Sequence, residues 1–124
     1  MNVLLVEDDA ELRGLYAEAL LADGIEVTAA NTAQAALDAL EESRPDIVIL
    51  DIMLPVHNGL TIMYEMQSYD DWSRIPIIVL SAIPKADIFV NDDLIERLNI
   101  AEYLDKSLTA PTELPIIIKR VLGK

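Results

Sequence analysis

The stretch Ile47-Val48-Ile49-Leu50-Asp51 is the most informative part of this sequence. Its first four residues are apolar and mostly β-branched, which is typical of a strand buried on both faces of a parallel sheet. The aspartate follows directly, and the three residues after it are apolar again. An ionisable side chain in such surroundings needs a polar partner. The stretch therefore predicts a central strand that ends at a functional carboxylate.

Two other apolar runs, at residues 3–6 and 77–80, have the same character and predict two more buried strands. Residues 25–28 and 101–104 are interrupted by charged residues, which indicates edge strands. Amphipathic segments between the strands predict helices. These segments are residues 10–23, 33–43, 59–70 and 111–122. A fifth helix is expected within residues 84–99, where Asp93 and Glu96 have the spacing of a capping pair.

Five βα units in succession predict an α/β domain over residues 1–124, with a doubly wound, five-stranded parallel sheet and five helices. With the weaker strands at the edges, the simplest strand order is 2-1-3-4-5. The crevice of such a sheet lies above the carboxyl ends of strands 1 and 3.

Composition excludes several classes of protein. The chain has 124 residues, a net charge of -13 and no cysteine. The negative charge disfavours direct binding to nucleic acids or anionic membranes. Without cysteine, neither a disulfide nor a thiolate metal site is possible. No signal peptide or membrane span is apparent, and we expect a cytoplasmic location.

Polar side chains follow four of the predicted strands. They are Glu7, Asp8 and Asp9 after strand 1, Asp51 after strand 3, Ser81 after strand 4 and Lys106 after strand 5. Because parallel strands share one carboxyl edge, we expect these groups to meet in one crevice. Clustered carboxylates need a cation, and their hard oxygens suit Mg²⁺. A carboxylate beside Mg²⁺, with a lysine and a hydroxyl nearby, is suited to accept a phosphoryl group.

Each of these residues also has a purely structural interpretation. Asp9 is a candidate N-cap for the first helix. Asn58, in the loop after strand 3, is a candidate N-cap for the third helix. Ser81 alone suits a loop hydroxyl, and Lys106 alone suits a surface lysine. Their joint placement at the ends of four strands carries the functional interpretation.

The polar residues at the strand ends and their sequence neighbours resemble the motifs of the response-regulator receiver family, which has a flavodoxin-like fold. The matching segments are residues 4–9, 46–55, 58–60, 75–82 and 103–106. The resemblance runs from Met1 to about Lys106, and its motifs occur in order at suitable spacing.

The resemblance implies roles for individual residues. Asp51 resembles, by its position, the phosphoacceptor aspartate of the family. Asp8 resembles the aspartate that binds Mg²⁺ directly. Glu7 would act on the metal through water, and the backbone carbonyl of Met53 would be a further ligand. The phosphoryl group would be contacted by Ser81 and Lys106, and Tyr103 would be the aromatic whose rotation reports phosphorylation.

The resemblance also implies partners. A sensor histidine kinase or phosphotransfer protein would supply the phosphoryl group, and a downstream protein target or output domain would respond to it. The protein would be a monomer or a homodimer linked to phosphorylation. In this family the positions two after the acceptor and two after the hydroxyl residue border the path of attacking water. Here these are Met53 and Ile83, and both are apolar, so we expect a long-lived acyl phosphate.

Three positions depart from the family pattern. Ser107 stands where the family has proline after the lysine, Asn58 stands where an acidic residue is usual, and Asn99-Ile100 replaces Gly-Ala. A cis bond before serine costs about 2.5–4 kcal/mol, so we predict a trans bond between Lys106 and Ser107. The stem of the lysine is long enough for its ammonium still to reach Asp51.

Three other functions are alternatives to a phosphoryl-accepting receiver. A phosphatase of the haloacid dehalogenase class needs an acid two residues after its aspartate, but that residue is Met53, whose thioether cannot donate a proton. A flavodoxin-type FMN binder needs a phosphate-binding loop after strand 1, where the acidic residues would repel phosphate. A degenerate receiver would act only as a protein-interaction module.

Overall fold

The computed structural model describes residues 1–89 and 92–124. Five strands form one parallel sheet in the order β2-β1-β3-β4-β5, as predicted. The strands are β1 Asn2–Val6, β2 Glu26–Ala30, β3 Ile47–Leu50, β4 Ile77–Ser81 and β5 Ile100–Asp105. The α/β, flavodoxin-like architecture is therefore confirmed.

Apart from Asn2 and Ser81 at their ends, the three central strands are apolar because both faces of the sheet are covered. Alternate residues of each strand enter opposite cores. In β1, Leu4 and Val6 pack on one side of the sheet, while Val3 and Leu5 pack on the other. The same alternation in β3 and β4 leaves no solvent-facing position on these strands, and it explains their unbroken apolar runs.

Seven α-helices lie within the described residues, where the sequence predicted five. They are α1 Ala10–Ala22, α2 Ala33–Glu42, α3 Gly59–Gln67, α4 Asp70–Ser73, α5 Lys85–Ile88, α6 Asp92–Arg97 and α7 Leu114–Leu122. A 3-10 turn at Pro111–Glu113 precedes α7. Side chains of α1 and α7 contribute to one core, and those of α2, α3 and α6 contribute to the other.

The additional helices arise where a predicted helix is interrupted. Tyr69 has extended backbone angles and separates α3 from α4. Phe89 is also extended and is buried in the core, so α5 ends there. α6 begins at Asp92, close to where the Asp93–Glu96 spacing placed a helix start, but Asp93 lies within its first turn and not at the cap. No described helix is long and apolar enough to cross a membrane.

Predicted helix starts next to the crevice are confirmed. The Asp9 carboxylate accepts a hydrogen bond from the backbone N–H of Leu12 at 3.0 Å and caps α1. The Asn58 side chain accepts one from the N–H of Thr61 at 3.3 Å and caps α3. These caps fix where the loops after β1 and β3 end.

Gly59 brings α3 against the end of β3. Its N–H donates to the carbonyl of Ile52 at 2.7 Å. A Cβ atom at position 59 would lie 2.5 Å from the carbonyl oxygen of Asp51 and 2.9 Å from the Cα of Ile52. Both neighbours are backbone atoms and cannot turn aside, so only glycine fits beside Asp51.

We expect Gly59→Ala to lower the free energy of unfolding by about 1–3 kcal/mol, because the added methyl group overlaps backbone. Gly14→Ala is the matched control, since Gly14 lies within α1 and an added Cβ meets nothing within 4 Å. That change should raise stability by about 0.5–1 kcal/mol through helix propensity. Urea unfolding of both variants measures these effects, and equal effects in the two variants would contradict the assignment.

Candidate functional site

A crevice of about 670 Å³ opens at the carboxyl ends of the strands. Its lining includes Glu7, Asp8, Asp51, Met53 and Lys106. Since β1 lies between β2 and β3, the loops after β1 and β3 diverge to opposite faces of the sheet. That divergence is the usual origin of ligand crevices in open α/β sheets.

The centre of the crevice is an ammonium held between two buried carboxylates. The Nζ of Lys106 lies 2.5 Å from Oε1 of Glu7 and 2.6 Å from Oδ2 of Asp51. Glu7 is 2% exposed and Asp51 is 5% exposed, while the lysine side chain is 16% exposed. Pairing of this kind is what permits charged groups to be buried.

The other oxygen of each buried carboxylate is also satisfied. Oε2 of Glu7 accepts a hydrogen bond from the N–H of Asp9 at 3.1 Å. Oδ1 of Asp51 accepts one from the N–H of Met53 at 3.0 Å. The backbone of the two loops thus sets the orientation of both carboxylates.

Burial and pairing shift the pKa values of these groups. Burial raises the pKa of the Glu7 carboxyl above its ordinary value of 4.5, and the bonds from Lys106 and from the Asp9 N–H offset this only in part. Burial alone would lower the pKa of the Lys106 ammonium, but Asp51 and Glu7 together raise it above 10.5. The lysine therefore remains charged at neutral pH.

Three carboxylates are placed to bind a cation. One oxygen from each of Glu7, Asp8 and Asp51 lies within 4.8 Å of the others. The donor set consists of hard oxygens, and Asp8 is exposed, so a bound ion could keep several waters. This arrangement fits Mg²⁺, which prefers a few carboxylates and retained water.

Ser81 and Tyr103 lie behind the crevice and not in its lining. Ser81 is fully buried, and its Oγ accepts a hydrogen bond from the N–H of Ile83 at 3.1 Å. The hydroxyl of Tyr103 donates to the carbonyl of Ile83 at 2.6 Å, and its ring packs edge-on against Phe89. Both side chains are thus hydrogen-bonded to the backbone of Ile83, in the loop after β4.

The peptide bond between Lys106 and Ser107 is trans, as predicted, because the described residues contain no cis bond. The N–H and hydroxyl of Ser107 both donate to Oδ1 of Asp105, at 2.8 and 2.7 Å. This local turn replaces the family's proline, and the ammonium still reaches Asp51. Asn99 has φ 57°, so it takes the left-handed conformation before β5, which asparagine tolerates better than other non-glycine residues.

Two residues next to the crevice lining were not foreseen from the sequence. Arg13 donates from one guanidinium nitrogen to the carbonyls of Glu7, at 2.9 Å, and Asp8, at 3.3 Å. The available signal was that Arg13 is the only lysine or arginine in the first 43 residues. Val56, in the loop after Asp51, has φ 68° and is 96% exposed. A β-branched residue there is strained, and nothing in the sequence pattern signalled it.

Comparison with known proteins gives the family. A model of the response regulator receiver domain matches residues 3–119. The KDP operon transcriptional regulatory protein KdpE of Escherichia coli (strain K12) is 40% identical over 81 residues, which cover 65% of this chain and 35% of KdpE. The polar-differentiation response regulator DivK of Brucella anthropi is 29% identical, with 98% of this chain and 96% of DivK covered.

A solved structure agrees in fold. The receiver domain of the sensor histidine kinase PA1611 from Pseudomonas aeruginosa PAO1, with a magnesium ion coordinated in its active site cleft, has a TM-score of 0.82. It is 28% identical, with 99% of this chain and 98% of that chain covered. The chain spans only 25% to 47% of the length of the first curated relatives that it matches. Since the family model covers almost the whole sequence and the fold agrees with it, the chain belongs to the receiver domains of two-component response regulators.

Proposed function

We propose that this protein accepts a phosphoryl group on Asp51 from a sensor histidine kinase or a phosphotransfer protein. The observation that carries the proposal is the contact of the Lys106 ammonium with both Asp51 and Glu7 at 2.5–2.6 Å in an open crevice. It places a fixed positive charge beside the carboxylate that would gain phosphoryl oxygens.

The transfer joins one oxygen of Asp51 to phosphorus. The P–N bond of the donor phosphohistidine breaks, and its electron pair returns to the imidazole, which takes up a proton. The N–H of Met53 holds Oδ1 of Asp51, so the carboxylate is already oriented before the donor arrives. Lys106 can then follow a phosphoryl oxygen with its flexible stem.

Mg²⁺ is the proposed cofactor. Asp8, Asp51 and the Met53 carbonyl would hold it directly, and Glu7 would act through water. When bound, it would screen the negative charges of the carboxylates and of the phosphoryl oxygens. The cluster of three carboxylates supports this proposal, as does the magnesium in the PA1611 receiver domain.

Phosphorylation would be reported through Ser81 and Tyr103. Turning toward a phosphoryl group would move the Ser81 hydroxyl relative to the N–H of Ile83, which donates to it. The Tyr103 hydroxyl is bonded to the carbonyl of the same residue. A shift of this loop would therefore change both side chains together and alter the surface offered to a downstream protein or output domain.

The alternatives are less well supported. The side chains needed at the acceptor site are all present, which disfavours a degenerate receiver that only binds proteins. At the position where an aspartate-nucleophile phosphatase has its acid, Met53 lines the crevice and cannot donate a proton.

We propose a signalling acceptor with self-phosphorylation and autodephosphorylation only. We place it in the cytoplasm, as a monomer or as a homodimer formed on phosphorylation.

The first test is labelling by acetyl phosphate, followed by intact-protein mass spectrometry. We expect one phosphoryl group on the wild type in Mg²⁺, none in EDTA and none on Asp51→Asn. Asp23→Asn, which changes a surface aspartate paired with Lys119, is the matched control and should be labelled normally. Wild-type labelling of Asp51→Asn would refute the acceptor assignment, and an unlabelled wild type would favour the degenerate receiver.

The second test concerns Glu7 in the metal-free protein. Because its folded-state pKa lies above the unfolded value of 4.5, its proton-linked stabilisation is present below pH 4.5 and is lost as pH rises through the folded-state pKa. We expect the wild type to lose stability relative to Glu7→Gln over this range, by at most about 1.4 kcal/mol per pH unit.

Urea unfolding in EDTA between pH 4.5 and neutrality measures this difference. Glu18→Gln, which changes an exposed residue of α1, is the control. Added Mg²⁺ should stabilise the wild type more than Glu7→Gln. A pH-independent difference between the wild type and Glu7→Gln would show that Glu7 does not titrate as described.

The third test concerns the lifetime of the acyl phosphate. Met53 and Ile83 both line the crevice and offer no polar group to orient an attacking water. We expect Met53→Asn combined with Ile83→Glu to speed dephosphorylation at least severalfold, since positioned acid–base groups commonly contribute about 10²–10⁴-fold. Decay of the phosphorylated protein after donor removal measures the rate. An unchanged rate would mean that these positions do not control access of water.

A further inference from the structure

Arg13 contacts the acidic turn of the crevice without forming an ion pair there. One guanidinium nitrogen donates to the carbonyl oxygens of Glu7 and Asp8, at 2.9 and 3.3 Å. Three carboxylates lie within the same turn, at positions 7 to 9. Even so, no carboxylate among the described residues lies within ion-pairing distance of Arg13. The arginine thus bonds to the backbone and leaves the acidic side chains available.

The Asp8 side chain depends on that backbone for its position. Glu7 is held by Lys106 and by the N–H of Asp9, and the Asp9 carboxylate caps α1. Among the residues that the structure describes, none donates a hydrogen bond to the Asp8 carboxylate, which is exposed. The Arg13 bonds to the carbonyls of residues 7 and 8, together with the bond from the Asp9 N–H to Glu7, limit rotation of the peptide units that carry it.

The arginine has two opposite effects on a cation. Its positive charge, on a side chain bonded to the turn that carries the carboxylates, repels Mg²⁺. Its hydrogen bonds restrict the turn in the conformation that brings oxygens of Glu7, Asp8 and Asp51 within 4.8 Å of one another. Groups that orient metal ligands typically contribute about 10–100-fold to metal affinity. The two effects predict opposite signs when Arg13 is removed, so experiment can separate them.

We infer that Arg13 is a positioning residue for Mg²⁺, which acts by tethering the carbonyls of Glu7 and Asp8 so that the acidic turn is ordered before the ion binds. This inference rests on the proposed function. It assigns Arg13 no contact with the metal or with the phosphoryl group.

The test measures Mg²⁺ affinity of the full chain by calorimetry. Arg13→Met keeps the apolar stem and removes the donors and the charge, and it should bind Mg²⁺ about tenfold more weakly. Arg13→Lys keeps the charge and a donor and should restore affinity to within about threefold of the wild type. Arg120→Met removes a cation that pairs with Glu102 outside the crevice, and it should bind Mg²⁺ as the wild type does.

A second measurement separates positioning from a general loss of structure. In labelling by acetyl phosphate, Arg13→Met should need about tenfold more Mg²⁺ for half-maximal rate, as its affinity loss implies, and should reach the wild-type rate at saturation. Neither assay contains a protein partner, so a role of Arg13 in docking would not affect them. If Arg13→Met does not fold, Arg13→Gln, a neutral donor, takes its place and should bind Mg²⁺ more weakly than Arg13→Lys.

The outcomes are distinct. Equal or tighter Mg²⁺ binding by Arg13→Met, with the wild type binding and being labelled normally, would overturn the inference and leave the proposed function in place. A wild type that neither binds Mg²⁺ nor accepts phosphate would overturn the proposed function, and the inference with it.

Discussion

Two buried carboxylates on different loops share one ammonium, and much of the site follows from this constraint. Glu7 and Asp51 come from the ends of β1 and β3, while Lys106 comes from the end of β5. Charges of this kind are buried only when they are paired, so the lysine must reach across the end of β4. The parallel sheet meets this requirement because it brings all these carboxyl ends to one edge. The site is therefore assembled from residues that are far apart in sequence.

The same pairing makes the site ready for a metal without depending on one. Small domains built around a structural metal fold only when it is bound. Here the lysine neutralises part of the carboxylate charge in the absence of any ion, and the backbone N–H groups of Asp9 and Met53 satisfy the remaining oxygens of the two buried carboxylates. Because Asp8 has no such partner among the described residues, it is the proposed ligand whose order depends most on neighbouring backbone.

The features foreseen from the sequence are those set by local pattern and by the geometry of parallel sheets. Asp51 was identifiable because it ends an apolar strand, and strand order followed from which strands carry charges. What escaped prediction depends on three-dimensional detail. Phe89 interrupts a helix because the core accepts its ring. Arg13 bonds to carbonyls, which no residue pattern reveals. The left-handed backbone of Val56 contradicts its residue type, so propensity would have assigned the opposite.

The close approach of Gly59 to the carbonyl of Asp51 makes the two walls of the crevice mechanically unequal. On that side, backbone lies against backbone and α3 cannot advance toward Asp51. On the other side, the backbone N–H of Lys106 donates one hydrogen bond to the carbonyl of Ser81 in β4, at 3.0 Å. An exposed turn follows Lys106. The α3 side is therefore the more tightly packed wall of the crevice. Under the proposed phosphorylation of Asp51, volume added at this residue would displace the Lys106 side of the crevice, because α3 has no room to move.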